Sequence, residues 1–344
     1  MRRLLRSLLL ATLTLLPGVL VAEEALVAGK PLYRDPVYDG AADPVVIWNA
    51  ERKAWWMFYT NRRANAEGLP GVSWVHGTPI GIAESTNGGA TWAYFGDAQF
   101  SGIDSVLGAG DGSIDKPTYW APEVIEAEGA YHMFLTVVPG VFKDWGHPRS
   151  IVHLTSDDLL HWRAESELKL VSDKVIDACV APLPDGGYRL WYNNERDRKS
   201  IYYADSDDLL TWSDRGQAVG DQSGEAPKVF RWGDRYWMVT DVWDGLGVYR
   251  SDDMESWERQ KENLLREPGS GADDRVKGGH PDVVVSGDRA YLFYFTHPGR
   301  RGPDAGADQT EQRRSSIQVA ELRLENGWLA CDRDAPTRID LRVE

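Results

Sequence analysis

Cysteine and positive charge are both scarce in this 344-residue chain, and each scarcity excludes a class of function. Only Cys179 and Cys331 are present, which gives no support for a thiolate metal site or a redox centre, and whether they pair as a disulfide stays open. Lysine and arginine total 38 against 53 aspartates and glutamates, for a net charge of −15. Such an acidic chain argues against nucleic acid or an anionic membrane as its partner.

Long apolar runs are scarce as well, because only residues 8–21 form one. Three arginines, Arg2, Arg3 and Arg6, precede this run, and Ala22 follows it, as in a secretory signal peptide. We therefore predict a signal peptide over residues 1–22 and a periplasmic or secreted domain over residues 23–344. The alternative is a membrane anchor, but the run is shorter than the about 20 residues that span a bilayer. No cysteine follows the run, so a lipoprotein is not expected.

Sustained helical periodicity is absent, and a short motif that occurs four times stands in its place. Each copy has a Ser-Asp or Ser-Thr-Asn-Gly turn that ends in tryptophan and follows an apolar, strand-like segment. Turns of this kind form readily because the short polar side chains bond the local backbone and glycine tolerates positive φ. A strand, a polar turn and a tryptophan that recur along a chain are typical of a β-propeller. The copies span residues 84–92, 155–162, 205–212 and 250–257.

Five segments rich in aromatic and β-branched residues are predicted to be the second strands of hairpins. Each one follows a short turn, and the turn follows another apolar segment that would form the first strand. Five such hairpins fit the chain length, whereas six would leave too few residues for each blade. We therefore predict an all-β, single-domain, five-bladed propeller. The five segments are residues 55–59, 131–135, 188–192, 236–239 and 291–295.

Acidic residues stand at the entrance to the first strand of three predicted blades: Asp43, Asp177 and Glu225. His280 holds the corresponding position in the fifth blade. Because first strands line the central channel of a propeller, these side chains are expected to converge at its mouth. Carboxylates brought close together raise the pKa of at least one of them. A protonated and an ionised carboxyl on either side of a bond are what glycoside hydrolysis requires.

The loops between second and third strands are rich in tryptophan, histidine, arginine and asparagine, and they rise around the same predicted mouth. Such a lining suits a sugar, which has polar edges and apolar ring faces. We therefore predict an oligosaccharide or polysaccharide substrate and no nucleic-acid or membrane partner. The candidate substrate-binding residues are His280, Trp120, Arg62, Trp145, His147, Arg149, Asn194 and Trp243.

Five short motifs, one in each blade, together resemble glycoside hydrolase family 43 and its five-bladed relatives. They are Asp43-Pro44, Trp120-Ala121-Pro122-Glu123, Ile176-Asp177, Glu225-Ala226-Pro227 and Gly279-His280. The resemblance implies an inverting glycosidase in which Asp43 is the general base, Asp177 tunes and orients the acid, and Glu225 is the general acid. It also implies that no cofactor is required, with room for a Ca²⁺ ion near His280 in the channel.

The chain departs from the family pattern at three positions, where Glu123 replaces Asp, Ala226 replaces Gly and Ala178 replaces Pro. An agarose-degrading relative of the same architecture, with His280 as the acid, is one alternative. A non-catalytic glycan-binding propeller is a second, although all three carboxylates are present. Residues 85–92 also resemble a sialidase box, but no arginine trio accompanies it. A phosphorylase of the same fold is a further alternative, in which the loop arginines would hold phosphate.

Overall fold

The computed structural model describes residues 25–110, 112, 114–301 and 309–343, and the signal peptide predicted at residues 1–22 lies outside them. Five antiparallel sheets follow one another along these residues. The first strand of each sheet contacts that of the next, and the last contacts the first, so the ring is closed. The fold is a five-bladed β-propeller in one domain, which confirms the fold class predicted from the sequence.

The strands of the first half lie in sequence order within their blades. Strand β1 (Leu26–Val27) precedes blade 1, which contains β2 (Ala41–Asn49), β3 (Ala54–Asn61), β4 (Ile80–Ser85) and β5 (Ala93–Asp97). Strand β6 (Gln99–Ser101) and helix α1 (Ile103–Val106) follow. Blade 2 contains β7 (Thr118–Ala127), β8 (Ala130–Val138), β9 (Ser150–Ser156) and β10 (His161–Glu167), and β6 joins its outer edge in parallel with β10. A 3₁₀ turn (Ser73–Val75) lies in the long loop after β3.

The second half repeats the arrangement three times. Blade 3 contains β11 (Val175–Pro182), β12 (Tyr188–Asn194), β13 (Ser200–Ser206) and β14 (Ser213–Val219). Blade 4 contains β15 (Glu225–Trp232), β16 (Arg235–Asp241), β17 (Leu246–Ser251) and β18 (Glu258–Arg259). Blade 5 contains β19 (Gly279–Ser286), β20 (Arg289–Thr296), β21 (Ser316–Glu325) and β22 (Trp328–Cys331), with helix α2 (Gln309–Arg313) before β21. Strand β23 (Arg338–Ile339) pairs with β1.

The repeated motif forms the turn between the third and fourth strands of blades 1 to 4. In blade 2, Asp158 Oδ1 accepts the amides of Leu160 and His161, while Leu159 adopts a φ of 65°. The indole of Trp162 then donates to the Leu159 carbonyl at 2.9 Å. Trp162 is fully buried between blades, so the motif shapes the turn and fills the core at once.

A β-bulge recurs at one position in every blade, where the pairing of first and second strands shifts register. The residue at this bulge has a positive φ in all five blades: Asp43 (54°), Ala121 (42°), Asp177 (58°), Ala226 (51°) and His280 (43°). Bulges bend a strand and redirect side chains, and they are frequent beside active sites. Asp43, Asp177 and His280 are therefore equivalent residues, whereas Glu225 stands one residue earlier.

The ring is closed by contacts between blades 5 and 1, by the pairing of β1 with β23, and by an antiparallel bridge between Tyr33, before blade 1, and Ile317 of β21 in blade 5. The amide of Val46 in blade 1 donates to Asp282 Oδ2 in blade 5 at 2.9 Å. Within the described ranges, no helix reaches the length and apolarity needed to cross a bilayer. Cys179 and Cys331 are both free thiols, which answers the question of pairing that the sequence left open.

Candidate active site

A cavity of about 820 Å³ opens on the face of the propeller where the first strand of each blade begins. Its floor comes from the bulge positions of the first strands, and its walls come from the loops between second and third strands. Part of the wall is also supplied by residues 266–278, which connect blade 4 to blade 5. The chain thus brings residues from all five blades to one concave site, which is the usual form of a small-ligand site.

Nine of the eleven residues predicted from the sequence line this cavity, and two do not. His147 stacks on Phe142 and lies near Asp144, and Asn194 is buried with its side-chain oxygen accepting the Arg196 amide. The nine that line the cavity are Asp43, Asp177, Glu225, His280, Trp120, Arg62, Trp145, Arg149 and Trp243.

Asp43 is buried and held by basic and polar neighbours. Arg62 donates from Nη2 to both carboxylate oxygens, at 2.9 and 3.1 Å, and His280 Nδ1 lies 3.3 Å from Oδ1. Burial by itself would raise the pKa of Asp43, but the charges of Arg62 and His280 and hydrogen bonds from Thr60 and Arg62 outweigh it. The pKa of Asp43 is therefore lowered, and this carboxylate is ionised at neutral pH.

The pKa of Glu225 is shifted in the opposite direction from that of Asp43. Burial raises its pKa, the charge of Lys199 opposes the shift, and the charge of Asp43 adds to it. Its carboxyl group is positioned by two contacts: the Trp243 indole donates to Oε1 at 3.1 Å, and Lys199 Nζ lies 3.4 Å from Oε2. A proton is thus retained at Glu225 to higher pH than on an exposed glutamate.

Asp177 lies between these two groups in the electrostatic network. Burial and then the charges of Glu225 and Asp43 raise its pKa well above the ordinary value. Its Oδ2 accepts the amide of Ala226 at 3.1 Å, directly after Glu225 in the chain. Asp177 therefore fixes the backbone that carries Glu225.

Asp241 was missed by sequence reasoning, although it ends the second strand of blade 4 directly opposite Glu225 in the sheet. Burial and the charge of Glu225 raise the pKa of Asp241 to about 7. Its two oxygens accept the amides of Trp243 at 2.8 Å and His280 at 3.0 Å. Asp241 thus joins the loop of blade 4 to the bulge of blade 5. The one signal in the sequence that could have identified it is its position opposite Glu225 in the predicted hairpin.

His280 faces Asp43, and its surroundings disfavour the protonated form of the imidazole. Burial lowers the pKa of His280, although the charge of Asp43 opposes the shift. A second histidine, His297, accepts from Arg62 Nη1 at Nε2 (3.1 Å) because its Nδ1 donates to the Arg314 carbonyl (2.9 Å). Burial and the charges of Arg300 and Arg62 lower the pKa of His297 well below its ordinary value. Both imidazoles therefore lose their proton at a lower pH than an exposed histidine does.

Two walls of the cavity differ in character. Trp74, Trp120 and Trp145 form an aromatic side that comes from blades 1 and 2. A second side, from the blade 4–5 connection and blade 5, carries arginine and lysine side chains. An aromatic surface beside polar groups is suited to the face and edge of a sugar ring.

Below the cavity, the channel holds a buried ion network. Lys228 Nζ lies 3.0 Å from Glu123 Oε2 and 2.8 Å from Asp282 Oδ1. Burial alone would lower the pKa of Lys228, but the charges of Asp282 and Glu123 hold it well above its ordinary value. Lys228 also donates to Glu123 Oε1 at 3.1 Å, and this oxygen and Asp282 Oδ2 accept the amides of Val180 and Val46. Glu123 thus has a structural role in the channel.

This network bears on the Ca²⁺ ion that the sequence resemblance allowed near His280. Ca²⁺ prefers six to eight oxygen ligands. In the part of the chain that the structure describes, no group of three or more histidine, cysteine or acidic residues is arranged to hold a metal ion. The channel carboxylates are already bonded to Lys228 and to backbone amides, so these residues do not fit a Ca²⁺ site.

Many solved structures share this architecture, among them the following three. A thermostable family-43 glycoside hydrolase is 20% identical, with a TM-score of 0.64 over 89% of this chain and 97% of that one. A family-43 β-1,3-galactosidase with galactodeoxynojirimycin is 14% identical, with a TM-score of 0.61 over 89% and 98%. A β-xylosidase/α-arabinofuranosidase from a compost metagenome, in a calcium-free form with xylotriose, is 15% identical, with a TM-score of 0.61 over 89% and 98%. At these identities the likeness establishes the fold.

Membership of a family comes from the sequence itself. No curated protein sequence matches the chain. The model of the glycosyl hydrolases family 43 matches residues 98–329, which is more than half of the 344 residues and includes the first strands of four blades. The chain therefore belongs to glycoside hydrolase family 43 and is a glycosidase, as the five blade motifs predicted.

Proposed function

We propose that this glycosidase cleaves an oligosaccharide or polysaccharide with inversion, using Asp43 as general base and Glu225 as general acid. The observation that carries the proposal is the opposite displacement of the two pKa values within one cavity, lowered for Asp43 and raised for Glu225. Two carboxyl groups whose surroundings drive their pKa values apart are what acid–base cleavage of a glycosidic bond needs.

In this mechanism Asp43 removes a proton from water as that water attacks the anomeric carbon. Arg62 keeps the carboxylate ionised, and His280 and Thr60 fix its orientation. Glu225 delivers its proton to the departing glycosidic oxygen, and Trp243 and Lys199 hold the carboxyl group in place. Asp177 acts as a positioning residue, because its Oδ2 accepts the amide of Ala226, directly after Glu225 in the chain.

The surroundings of His280 support Glu225 over His280 as the acid. An acid must hold a proton at working pH, but burial lowers the pKa of His280. His280 also contacts Asp43, the proposed base, rather than a separate position in the cavity. The agarose-type alternative is therefore the weaker of the two. A non-catalytic glycan-binding role is not favoured either, since the carboxyl groups of Asp43, Asp177 and Glu225 all line one cavity.

We further propose that the reaction requires no metal ion, because Lys228 supplies the positive charge in the central channel. Its ammonium neutralises Glu123 and Asp282 from blades 2 and 5, where an external cation would otherwise be attracted. Export is proposed as well, on the basis of the signal peptide predicted at residues 1–22.

The experiment is hydrolysis of a panel of plant and algal glycans by purified protein lacking residues 1–22. Relatives of this fold are described as galactosidases, xylosidases and arabinanases, so galactans, xylans and arabinans head the panel. We expect release of reducing sugar from at least one glycan, and none from an Asp43→Asn preparation run in parallel. Equal release by both proteins would point to a contaminant and remove the assignment.

A further inference from the structure

The cavity and the whole chain carry opposite charge. The sequence has a net charge of −15, whereas the cavity lining contains eight arginines and lysines against five aspartates and glutamates. Protonation of Glu225 shifts the local balance further toward positive. Clefts that concentrate one sign of charge attract ligands of the other sign.

Four of the eight cations are paired with carboxylates: Arg62 with Asp43, Arg149 and Lys199 with Glu195, and Arg266 with Asp244. The other four, Arg275, Lys277, Arg300 and Arg301, make no ion pair with any described residue. All four belong to the wall formed by the blade 4–5 connection and the loop after β20. This wall, defined by these four residues, is called the basic wall.

The three arginines of the basic wall are anchored in the same way. Each donates from Nε to a backbone carbonyl: Arg275 to Ser270 at 3.2 Å, Arg300 to Gln312 at 3.0 Å and Arg301 to Pro298 at 2.8 Å. Their terminal Nη atoms make no hydrogen bond to a described residue. An arginine fixed through Nε presents both Nη groups as a fork, the geometry that binds a carboxylate or sulfate by two parallel hydrogen bonds.

Arg300 is also close to a second guanidinium. Desolvation in the cavity and the charge of Arg62 lower the pKa of Arg300 to about 10, although its side chain stays exposed at the cavity surface. Arg62 is already committed, through Nη2 to Asp43 and through Nη1 to His297. Arg300 therefore faces like charge, and no carboxylate among the described residues pairs with it, so an anion supplied by a ligand would relieve this repulsion.

We propose that the glycan bound in this cavity carries an anionic group, a carboxylate or a sulfate ester, that is held by Arg300 and Arg301. The sugar ring stacks on the aromatic side, Trp74, Trp120 and Trp145, and its charged substituent points to the basic wall. This inference rests on the proposed function, because it specifies the substrate of the same site. A neutral pentose oligosaccharide would offer no anion to the Nη groups of the basic wall, which bond no described residue.

The test separates binding from hydrolysis by using the Asp43→Asn protein. Its dissociation constants are measured by calorimetry for two matched pairs: xylo-oligosaccharides with and without a glucuronic acid branch, and galactan oligosaccharides with and without sulfate esters. Each is measured at low and high NaCl. We expect one anionic member to bind at least about tenfold more tightly than its neutral partner, with the preference decreasing in salt. The pair that responds distinguishes carboxylate from sulfate.

Arg300→Gln and Arg301→Gln, each added to Asp43→Asn, are expected to reduce the ratio of anionic to neutral affinity by about tenfold. The matched control is Arg323→Gln, since Arg323 is exposed and pairs with Glu325 on β21, away from the cavity. Equal affinity for charged and neutral members of both pairs, or the same loss with Arg323→Gln, would overturn the proposal.

Failure of this inference differs from failure of the proposed function. Cleavage of neutral glycans alone, at a kcat/KM that Arg300→Gln leaves unaltered, would overturn the anionic substrate and keep the glycosidase. Arginine-dependent binding of an anionic glycan that the wild-type chain does not cleave would keep the binding site and count against the assigned acid and base.

Discussion

Arg62 donates from a single guanidinium nitrogen to both oxygens of the Asp43 carboxylate, at 2.9 and 3.1 Å. The two residues lie together at the open end of the first hairpin of blade 1, near the start of β2 and directly after β3. This ion pair outweighs the effect of burial and keeps Asp43 ionised. An ionised, oriented carboxylate can accept a proton from water, and this is the role that the following predictions probe.

Asp43→Asn is expected to reduce kcat by about 10²–10⁴-fold, because the amide cannot accept the proton of the attacking water. Folding and glycan binding should be retained, since the amide is isosteric with the carboxyl group. Steady-state kinetics and circular dichroism measure both. The control is Asp234→Asn, in the exposed turn between β15 and β16. Near wild-type turnover in Asp43→Asn would exclude Asp43 as the base.

Inversion should be visible in the first product. Proton NMR of the anomeric signal during the first minutes of hydrolysis is expected to show the configuration opposite to that of the substrate bond. An inverting site leaves room for water between its carboxyl groups, roughly 6.5–9.5 Å apart, whereas a retaining one holds them about 5–5.5 Å apart. Initial release of the original anomer would contradict the mechanism.

Removal of the Glu225 carboxyl should affect substrates according to their leaving group. Glu225→Ala is expected to abolish cleavage of natural glycans but largely to spare an activated aryl glycoside, which departs without protonation. His280→Ala should slow both substrates to a similar extent, because it orients Asp43. If selective rescue appears with His280→Ala instead, the proton donor is His280 and the agarose-type alternative is correct.

Lys199 should influence the pH above which activity is lost, because its charge acts on the pKa of Glu225. Its charge opposes the rise in the pKa of Glu225, so Lys199→Met should raise that pKa further. Because the acid must be protonated, the alkaline limb of the kcat/KM profile should move to higher pH. The acid limb, set by Asp43, should move little. Lys169→Met, at an exposed position, is the control, and an alkaline limb that stays in place or moves down would contradict the assignment.

Lys228 should make the protein independent of metal ions. We expect wild-type protein to contain no stoichiometric metal by mass spectrometry and to keep its Tm and activity in EDTA. Lys228→Met should lose about 3–5 kcal/mol of stability, because it leaves Glu123 and Asp282 buried without a counter-charge.

Two further measurements test whether the loss of stability comes from unpaired charge and whether Lys228 takes the place of a metal ion. Additional Glu123→Gln and Asp282→Asn substitutions in Lys228→Met should recover part of the lost Tm, because they remove the unpaired charges. One bound Ca²⁺ per wild-type chain, together with inactivation by EDTA, would show that Lys228 does not replace the metal.

The fold could be predicted from local pattern alone. Alternating strands, polar turns and a tryptophan after each turn specify hairpins, because these preferences act over a few residues. The Trp162 turn shows this directly, since its hydrogen bonds join residues no more than four positions apart. The order of motifs at equivalent blade positions likewise brought Asp43, Asp177, Glu225 and His280 to one predicted site, and the structure has all four in the cavity.

Other features were decided by contacts between residues far apart in the chain. Nothing local marks Asp241 or Lys228, whose partners His280, Glu123 and Asp282 lie 39, 105 and 54 residues away. His147 and Asn194 were expected in the cavity on composition, yet local packing directs them elsewhere.

The sequence by itself therefore determined the blades and the acidic residues that enter them, because strand and turn preferences are short-range. Tertiary structure alone decided the pKa of each carboxyl group, the pairing of Lys228 and the exposure of the basic wall. These depend on burial and on charges from other blades, and they exist only after the ring has closed.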